Sequence, residues 1–216
     1  MKEYEKIETF YTFDSKTRKF TYGIYNKGID FIRKLPCVAT EKIDGTNIRI
    51  HWDGHRVEWA GRTDKSEIPI EVQAVLHILF DDAEVIFEQN FGEKEVYLNC
   101  EAFGGKIQGG KYGGNERLIL FDVCVDGKYL EREDLSKVAS VFSLDVVRSL
   151  YFDDWFEAVK YVYDIKNNPQ AHISCECDNG TTVEEGLVVR PLVQLYDENG
   201  NRLQAKMKVR DFERMD

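Results

Sequence analysis

The segment Glu41-Lys42-Ile43-Asp44-Gly45-Thr46-Asn47 places a lysine two positions before an acidic residue and a glycine, and it leads directly into an alternating apolar run. A lysine amine is a nucleophile only when uncharged, and a free lysine, with a pKa of about 10.4, is almost wholly protonated at neutral pH. Neighbouring cations disfavour its charged form. Lys206-Met207-Lys208 offers two such cations on one face of a late strand, because strand side chains repeat every two residues. Two carboxylates stand at strand ends. Glu101, in Asn99-Cys100-Glu101-Ala102-Phe103-Gly104-Gly105, precedes a glycine-rich loop, and Glu184-Glu185-Gly186 precedes the run Leu187-Val188-Val189. Carboxylates are hard oxygen ligands, and magnesium needs only one or two of them.

Each feature also has a plain structural reading. Lys-x-Asp-Gly is common by chance and in isolation describes a surface turn. Lysines on an edge strand discourage aggregation. Glu101 fits a partly buried carboxylate paired with an arginine, and Phe121, in the run Leu118–Val123, fits simple core. The loop from Gly104 to Gly114 carries Lys106, Lys111 and Tyr112. It suits either close approach to a phosphate backbone or a flexible connection, and it lacks the spacing and Ser/Thr of a phosphate-cradling Gly-x-x-x-x-Gly-Lys-Ser/Thr loop.

Taken together and in this order, the segments resemble the covalent nucleotidyltransferases, the superfamily of DNA ligases, RNA ligases and capping enzymes. The strings Lys-Ile-Asp-Gly-Thr-Asn and Cys-Glu-Ala-Phe-Gly-Gly, the latter followed by Ile107-Gln108-Gly109-Gly110, bring the chain nearest to the RNA ligase 2 family. The resemblance runs from residue 41 to residue 208. It implies ATP as cosubstrate with Mg2+ or Mn2+, and three steps of sealing. Lys42 takes AMP from ATP as a lysyl-adenylate, AMP passes to a 5′-phosphate end, and a 3′-hydroxyl displaces it. The implied partner is RNA, or a nicked duplex, with 5′-phosphate and 3′-hydroxyl ends.

The resemblance also assigns roles. Lys206 and Lys208 depress the pKa of Lys42 and neutralise the α-phosphate. Glu185, preferred to Glu184 because it immediately precedes Gly186, holds the divalent ion. Glu101 contacts the ribose or assists the metal. Arg62 reaches the ribose and later the phosphate, Phe121 stacks on adenine, and Asn47 with the backbone around Glu41 and Ile43 fixes the nucleotide. Arg33, Lys34, Lys106 and Lys111 are candidates for strand contacts. Two rivals share the fold: a DNA nick ligase, and a nucleotide-binding or regulatory module that does not seal.

The elements that must carry these residues read as α+β. Ile48, Ile50 and Trp52 alternate before Asp53-Gly54 and the return run His55–Ala60, a hairpin signature. Asp126-Gly127 marks a second hairpin, and Asn199-Gly200 a third, between Val193–Tyr196 and Leu203–Val209. Helices are expected after Pro69 (Val72, Val75, Leu76, Leu79, Phe80), over Leu135–Phe142 and over Trp155–Val162. The expected architecture is one adenylyltransferase domain over 1–216, ATP-grasp-like, of antiparallel sheets flanked by helices. With the last motif eight residues from the end, no appended OB domain is expected. The chain then reads as a shortened ligase, a minimal one, or one whose separate protein partner supplies the missing contacts.

Bulk properties narrow the setting. A composition of 43% apolar and 31% charged residues is that of a globular protein. No membrane span or signal peptide is expected, and five scattered cysteines suggest a reduced, cytoplasmic setting rather than a disulfide framework. A net charge of −10 argues against indiscriminate nucleic-acid binding. The acidity is concentrated in the middle: residues 1–36 carry net +3 and residues 185–216 net zero. Any strand contact must therefore be a focused patch.

Overall fold

A computed structural model describes residues 1–214. In chain order its strands are β1 (Glu8–Thr9), β2 (Tyr11–Asp14), β3 (Lys19–Tyr25), β4 (Cys37–Glu41), β5 (Thr46–Trp52), β6 (Val57–Gly61) and β7 (Val96–Phe103). They continue with β8 (Arg117–Val125), β9 (Lys128–Tyr129), β10 (Asp145–Val146), β11 (Ser149–Phe152), β12 (Gly186–Pro191) and β13 (Ala205–Lys208). The helices are α1 (Ile29–Ile32), α2 (Ile70–Phe80), α3 (Glu84–Phe91), α4 (Arg132–Val141) and α5 (Trp155–Asn167). The chain divides into two compact units, each with its own hydrophobic core.

The first unit comprises residues 1–4, 44–147 and 176–179. Its sheet has the order β10-β8-β7-β5-β6, with β9 on β8. All pairings are antiparallel except β10 with β8. Period-two alternation decides the two faces. Ile48, Ile50 and Trp52 of β5 and Val96, Leu98, Cys100 and Ala102 of β7 are buried against Val72, Leu76 and Phe80 of α2, Phe87 of α3 and Leu135 and Val138 of α4. Each side chain of Leu, Val or Phe size so buried contributes about 1.5–3 kcal/mol. The opposite face carries Asn47, Arg49 and His51 on β5 and Tyr97, Asn99 and Glu101 on β7. The Asp126-Gly127 turn has positive φ at both residues, the conformation a two-residue hairpin needs.

Strand β8 changes phase midway. Asn99 faces Asp122 but Cys100 faces Leu120, so Phe121 is the extra residue of a β-bulge. Leu118 and Leu120 before it, and Val123 after it, all reach the core.

The second unit comprises residues 5–43, 148–175 and 180 onward. Its main sheet has the order β1-β13-β12-β4-β11, antiparallel except where β1 meets β13, and β2 and β3 form a separate hairpin. Cys37 and Ala39 of β4, Leu187 and Val189 of β12, and Ala205 and Met207 of β13 pack against Trp155, Ala158 and Val162 of α5. Asp154 caps α5, its side chain accepting from the Phe156 and Glu157 amides. The alternate residues Thr40, Val188, Lys206 and Lys208 therefore belong to the sheet face away from α5.

The third expected hairpin is corrected. The turn at Asn199-Gly200 forms, with Asp197 accepting from the Gly200 amide, but its arms meet only in an isolated bridge of Tyr196 with Arg202. Leu192 and Val193 are exposed, and β13 takes its partners from β12 and β1 instead.

Candidate active site

Three strand ends of the second unit converge on Lys42. It follows β4 directly, and its amide donates to the Gly186 carbonyl at 2.9 Å. Gly186 opens β12 opposite Lys208. A Cβ on Gly186, whose φ is +150°, would run into the Met207 carbonyl and the Lys208 Cα. The glycine is thus what lets β12 close on β13 at this point. Glu185 then lies between two amines, receiving Lys42 Nζ on Oε2 at 2.7 Å and Lys208 Nζ on Oε1 at 2.6 Å.

Lys206 lies opposite Val188 and forms no ion pair among the described residues. Burial holds its ammonium below the usual lysine range, and the positive charges of Lys208 and Lys42 push it further down. Lys42, Lys206 and Lys208 against Glu185 leave the cluster positive, which fits a polyphosphate. Among the described residues no three His, Cys, Asp or Glu side chains gather as a metal site. The carboxylate that suits a divalent ion held mainly by substrate phosphates and water is Glu185.

Glu184, its neighbour in the chain, points into a different network. It is buried with Glu41. Arg148 pairs with Glu184, and the Tyr161 hydroxyl donates to it at 3.0 Å. The Ser174 hydroxyl donates to Glu41 Oε1, and the Arg148 Nε lies 3.8 Å from Glu41 Oε2. Burial and then Glu184 push the Tyr161 hydroxyl up to about 12. Two buried carboxylates need such partners. The network anchors the end of β4, from which Lys42 projects. Nothing in the local sequence signals it, since Ser174 and Glu41 are 133 positions apart.

In the first unit the turn at Asp44-Gly45 is held from three sides. The Gly45 amide donates to Glu101 Oε1 at 3.2 Å, the Asp44 amide to the Tyr112 hydroxyl at 3.0 Å, and Gln108 Nε2 to the Gly45 carbonyl at 3.1 Å. Lys111 pairs with Asp44. A Cβ at position 45 would strike the Ala102 carbonyl and the Glu101 side chain. The glycine-rich loop is therefore folded onto the Asp44-Gly45 turn in this structure. Asn47 lies opposite Glu101 on the adjacent strand, and its Oδ1 is buried without a partner among the described residues. An unsatisfied buried acceptor of this kind fits a ligand hydroxyl or amine.

The remaining candidates are placed as follows. Arg62 is exposed just beyond β6, and Ile43 is buried. Phe121, at the bulge, meets the Tyr4 ring edge-on, with centroids 5.2 Å apart and an interplanar angle of 85°. Tyr4 is a second residue that sequence spacing does not reveal. Arg33 pairs with Asp30 and lies over the Tyr25 and Phe156 rings, while Lys34 and Lys106 are exposed.

A family model described as RNA ligase matches residues 35–209. The chain belongs to the RNA ligase family. That places it within the covalent nucleotidyltransferase superfamily, and the α+β arrangement of sheets and helices is the fold of solved RNA ligases. A Naegleria gruberi RNA ligase mutant with ATP and Mn superposes with a TM-score of 0.60 at 16% identity, over 85% of this chain and 52% of that one. The same organism's RNA ligase with PPi gives 0.59 at 18% identity, over 83% and 51%. An archaeal ATP-dependent RNA ligase gives 0.62 at 15% identity, over 96% and 48%. This RNA ligase family member thus spans about half the length of the solved ligases it matches. No curated protein matches it. Among the described residues no helix is long and apolar enough to cross a membrane.

Proposed function

We propose that this chain is an ATP-dependent RNA ligase that carries AMP on Lys42 and uses residues 1–216 as one adenylyltransferase domain. The observation that carries the reading is Glu185 joined to Lys42 and Lys208, with Lys206 beside them. Glu185 would hold a divalent ion, which when bound supplies charge neutralisation at the α-phosphate.

The amine of Lys42 sheds a proton and attacks the α-phosphorus of ATP. The new P–N bond forms as the α–β bridging P–O bond breaks and pyrophosphate leaves with the bonding electrons. Lys206 and Lys208 offset the charge that develops on the α-phosphate oxygens, and as preorganised cations they need no reorganisation to do so. A 5′-phosphate oxygen of the nucleic acid then takes the AMP from Lys42. A 3′-hydroxyl finally attacks that 5′-phosphorus and displaces AMP. Asn47, Arg62, Glu101 and Phe121 are assigned to holding the nucleoside, following the family resemblance.

In this reading Glu185 is a counter-ion before it is a ligand. While it accepts from Lys42 that amine is kept from attack, so the carboxylate must be drawn away when nucleotide arrives.

The test is incubation with α-labelled ATP and magnesium, followed by denaturing electrophoresis. Label should stay with the wild type and be absent from Lys42→Ala. A wild type without label removes the proposal. Supplying matched nicks with RNA or DNA 3′-hydroxyl strands then tests the end preference, and efficient sealing of all-DNA nicks with none of RNA-containing ends would reassign the chain as a DNA ligase.

A further inference from the structure

Phe121 is in an unusual mechanical position for a stacking platform. As the extra residue of a bulge it faces no partner on β7, so the ladder that orients its neighbours does not orient its ring. Two other groups hold it. Arg132 Nη1 donates to the Phe121 carbonyl at 3.0 Å and its Nη2 to the Val147 carbonyl at 2.9 Å, which fixes the backbone. The ring is met edge-on by Tyr4, whose other edge-on neighbour is Tyr129 at 6.3 Å.

Tyr4 is itself tied down on the polar side of the β5–β7–β8 sheet. Its hydroxyl donates to Oδ2 of the fully buried Asp122 at 2.8 Å. The strand leading to it is held by Arg49, also fully buried, whose Nη1 donates to the Lys2 carbonyl at 2.6 Å and to the Met1 carbonyl at 3.3 Å. The Lys2 amide donates to the Tyr97 hydroxyl at 3.2 Å. The first four residues thus form a strap across the face that bears Asn47 and Glu101, and the strap ends against Phe121.

We infer that Tyr4 is a positioning residue for the nucleobase platform: its ring edge sets the plane of Phe121, and the strap of residues 1–4 brings that edge there. This deepens the proposed function and rests on the reading of Phe121 as the surface on which adenine stacks. An edge-to-face pair is worth about 0.5–1.5 kcal/mol beyond burial, which corresponds to roughly a two- to tenfold change in affinity. Its loss should weaken the adenine contact alone. The triphosphate is served by other residues and should not register it.

The test compares wild type, Tyr4→Ala, Tyr4→Phe, Phe121→Ala and the Tyr4→Ala/Phe121→Ala double variant. ATP binding is titrated at equilibrium, with inorganic triphosphate as a probe that lacks the base, and lysyl-adenylate formation gives KM and kcat separately. Tyr4→Ala should weaken ATP two- to tenfold, raise KM while leaving kcat within about twofold, and leave triphosphate binding unchanged. Tyr4→Phe keeps the ring edge and should stay within about twofold of wild type. The double variant should bind ATP no more weakly than Phe121→Ala alone.

The inference is overturned if Tyr4→Ala binds ATP like the wild type, if ATP and triphosphate weaken together, or if the two single effects multiply in the double variant. A Tyr4→Ala protein that fails to fold shifts the decision to Tyr4→Phe, which overturns the idea by losing more than about twofold in ATP affinity and supports it by staying within that range. Failure of the proposed function has a different signature, because ATP would still be titrated while no variant, the wild type included, retained label.

Discussion

Lys206 is the member of the cationic cluster that binds no carboxylate among the described residues, and this gives it a stability signature distinct from its proposed role. Its ammonium is held below the usual lysine range by burial and by Lys208 and Lys42. The unfolded chain therefore retains a proton that the folded chain sheds over the window between the lowered pKa and the unfolded value of about 10.4. The resulting penalty is present in full below the lowered pKa and disappears as pH rises through that window. Lys206→Met should accordingly be at least as stable as the wild type at pH 7, with the gap closing toward pH 10, as measured by urea unfolding at both values. The same substitution should slow lysyl-adenylate formation by about a hundredfold or more, the usual cost of removing one preorganised group from a developing anion. Glu185→Gln should do the reverse to the fold. It leaves Lys42 and Lys208 without their counter-ion and should cost about 2 kcal/mol. A Lys206→Met variant less stable at pH 7 than at pH 10, relative to wild type, contradicts the argument. Residue types were legible in the chain at this scale, and adjacency to Gly186 pointed to Glu185. That Glu184 is instead buried with Arg148 and Tyr161 was not legible, because those partners lie 36 and 23 positions away, one before β11 and one on α5.

At the scale of elements, the site depends on how closely β12 approaches β13. Gly186 has positive φ, and its missing Cβ is the space that the Met207 carbonyl fills. Gly186→Ala must push the strands apart or twist β12, and either response withdraws Glu185 from Lys42 and Lys208. The expected loss is about 3 kcal/mol or more, together with lysyl-adenylate formation, whereas Gly180→Ala, which meets nothing within 4 Å, should lose far less. Thermal unfolding and labelling of the two variants decide this. A Gly186→Ala protein with wild-type midpoint and label would show that the close approach has no role. Elements set by local chemistry could be read directly: the Asp53-Gly54 and Asp126-Gly127 hairpins, α2 after Pro69, and the apolar stripes of α4 and α5. Elements set by long-range partners could not. The Asn199-Gly200 turn looks like the other two, yet its arms find only one bridge because β13 is claimed by β12 and β1. The bulge at Phe121 is equally silent, since Leu118 to Val123 is continuously apolar but for Asp122, and only the register with β7 reveals the extra residue.

At the scale of the molecule, the two cores differ in how the chain supplies them. Every buried member of the first unit's core, from Ile48 to Leu144, lies within residues 44–147, and so do β5 to β10 and α2 to α4. The second unit is assembled from three separated stretches. A fragment of residues 44–147 should therefore fold alone, whereas no single stretch of the second unit contains its sheet. The fragment loses the strap of residues 1–4, and with it the Met1 and Lys2 carbonyls that satisfy Arg49 and the hydroxyl that satisfies Asp122. Each buried group left short costs about 1–3 kcal/mol, against a typical domain stability of about 5–15 kcal/mol, so a cooperative but weakened transition is expected. Arg49 then makes the prediction sharp. In the full chain Arg49→Met strands the Gly61, Met1 and Lys2 carbonyls and the Asp64 carboxylate, and should destabilise. In the fragment it removes a buried cation that has lost half its partners, and an apolar side chain of similar size should be neutral or stabilising there. Urea unfolding of the four proteins tests both statements. A fragment without a cooperative transition would show that residues 44–147 do not fold alone, and an Arg49→Met effect equally destabilising in fragment and full chain would show that the strap is not what satisfies this guanidinium.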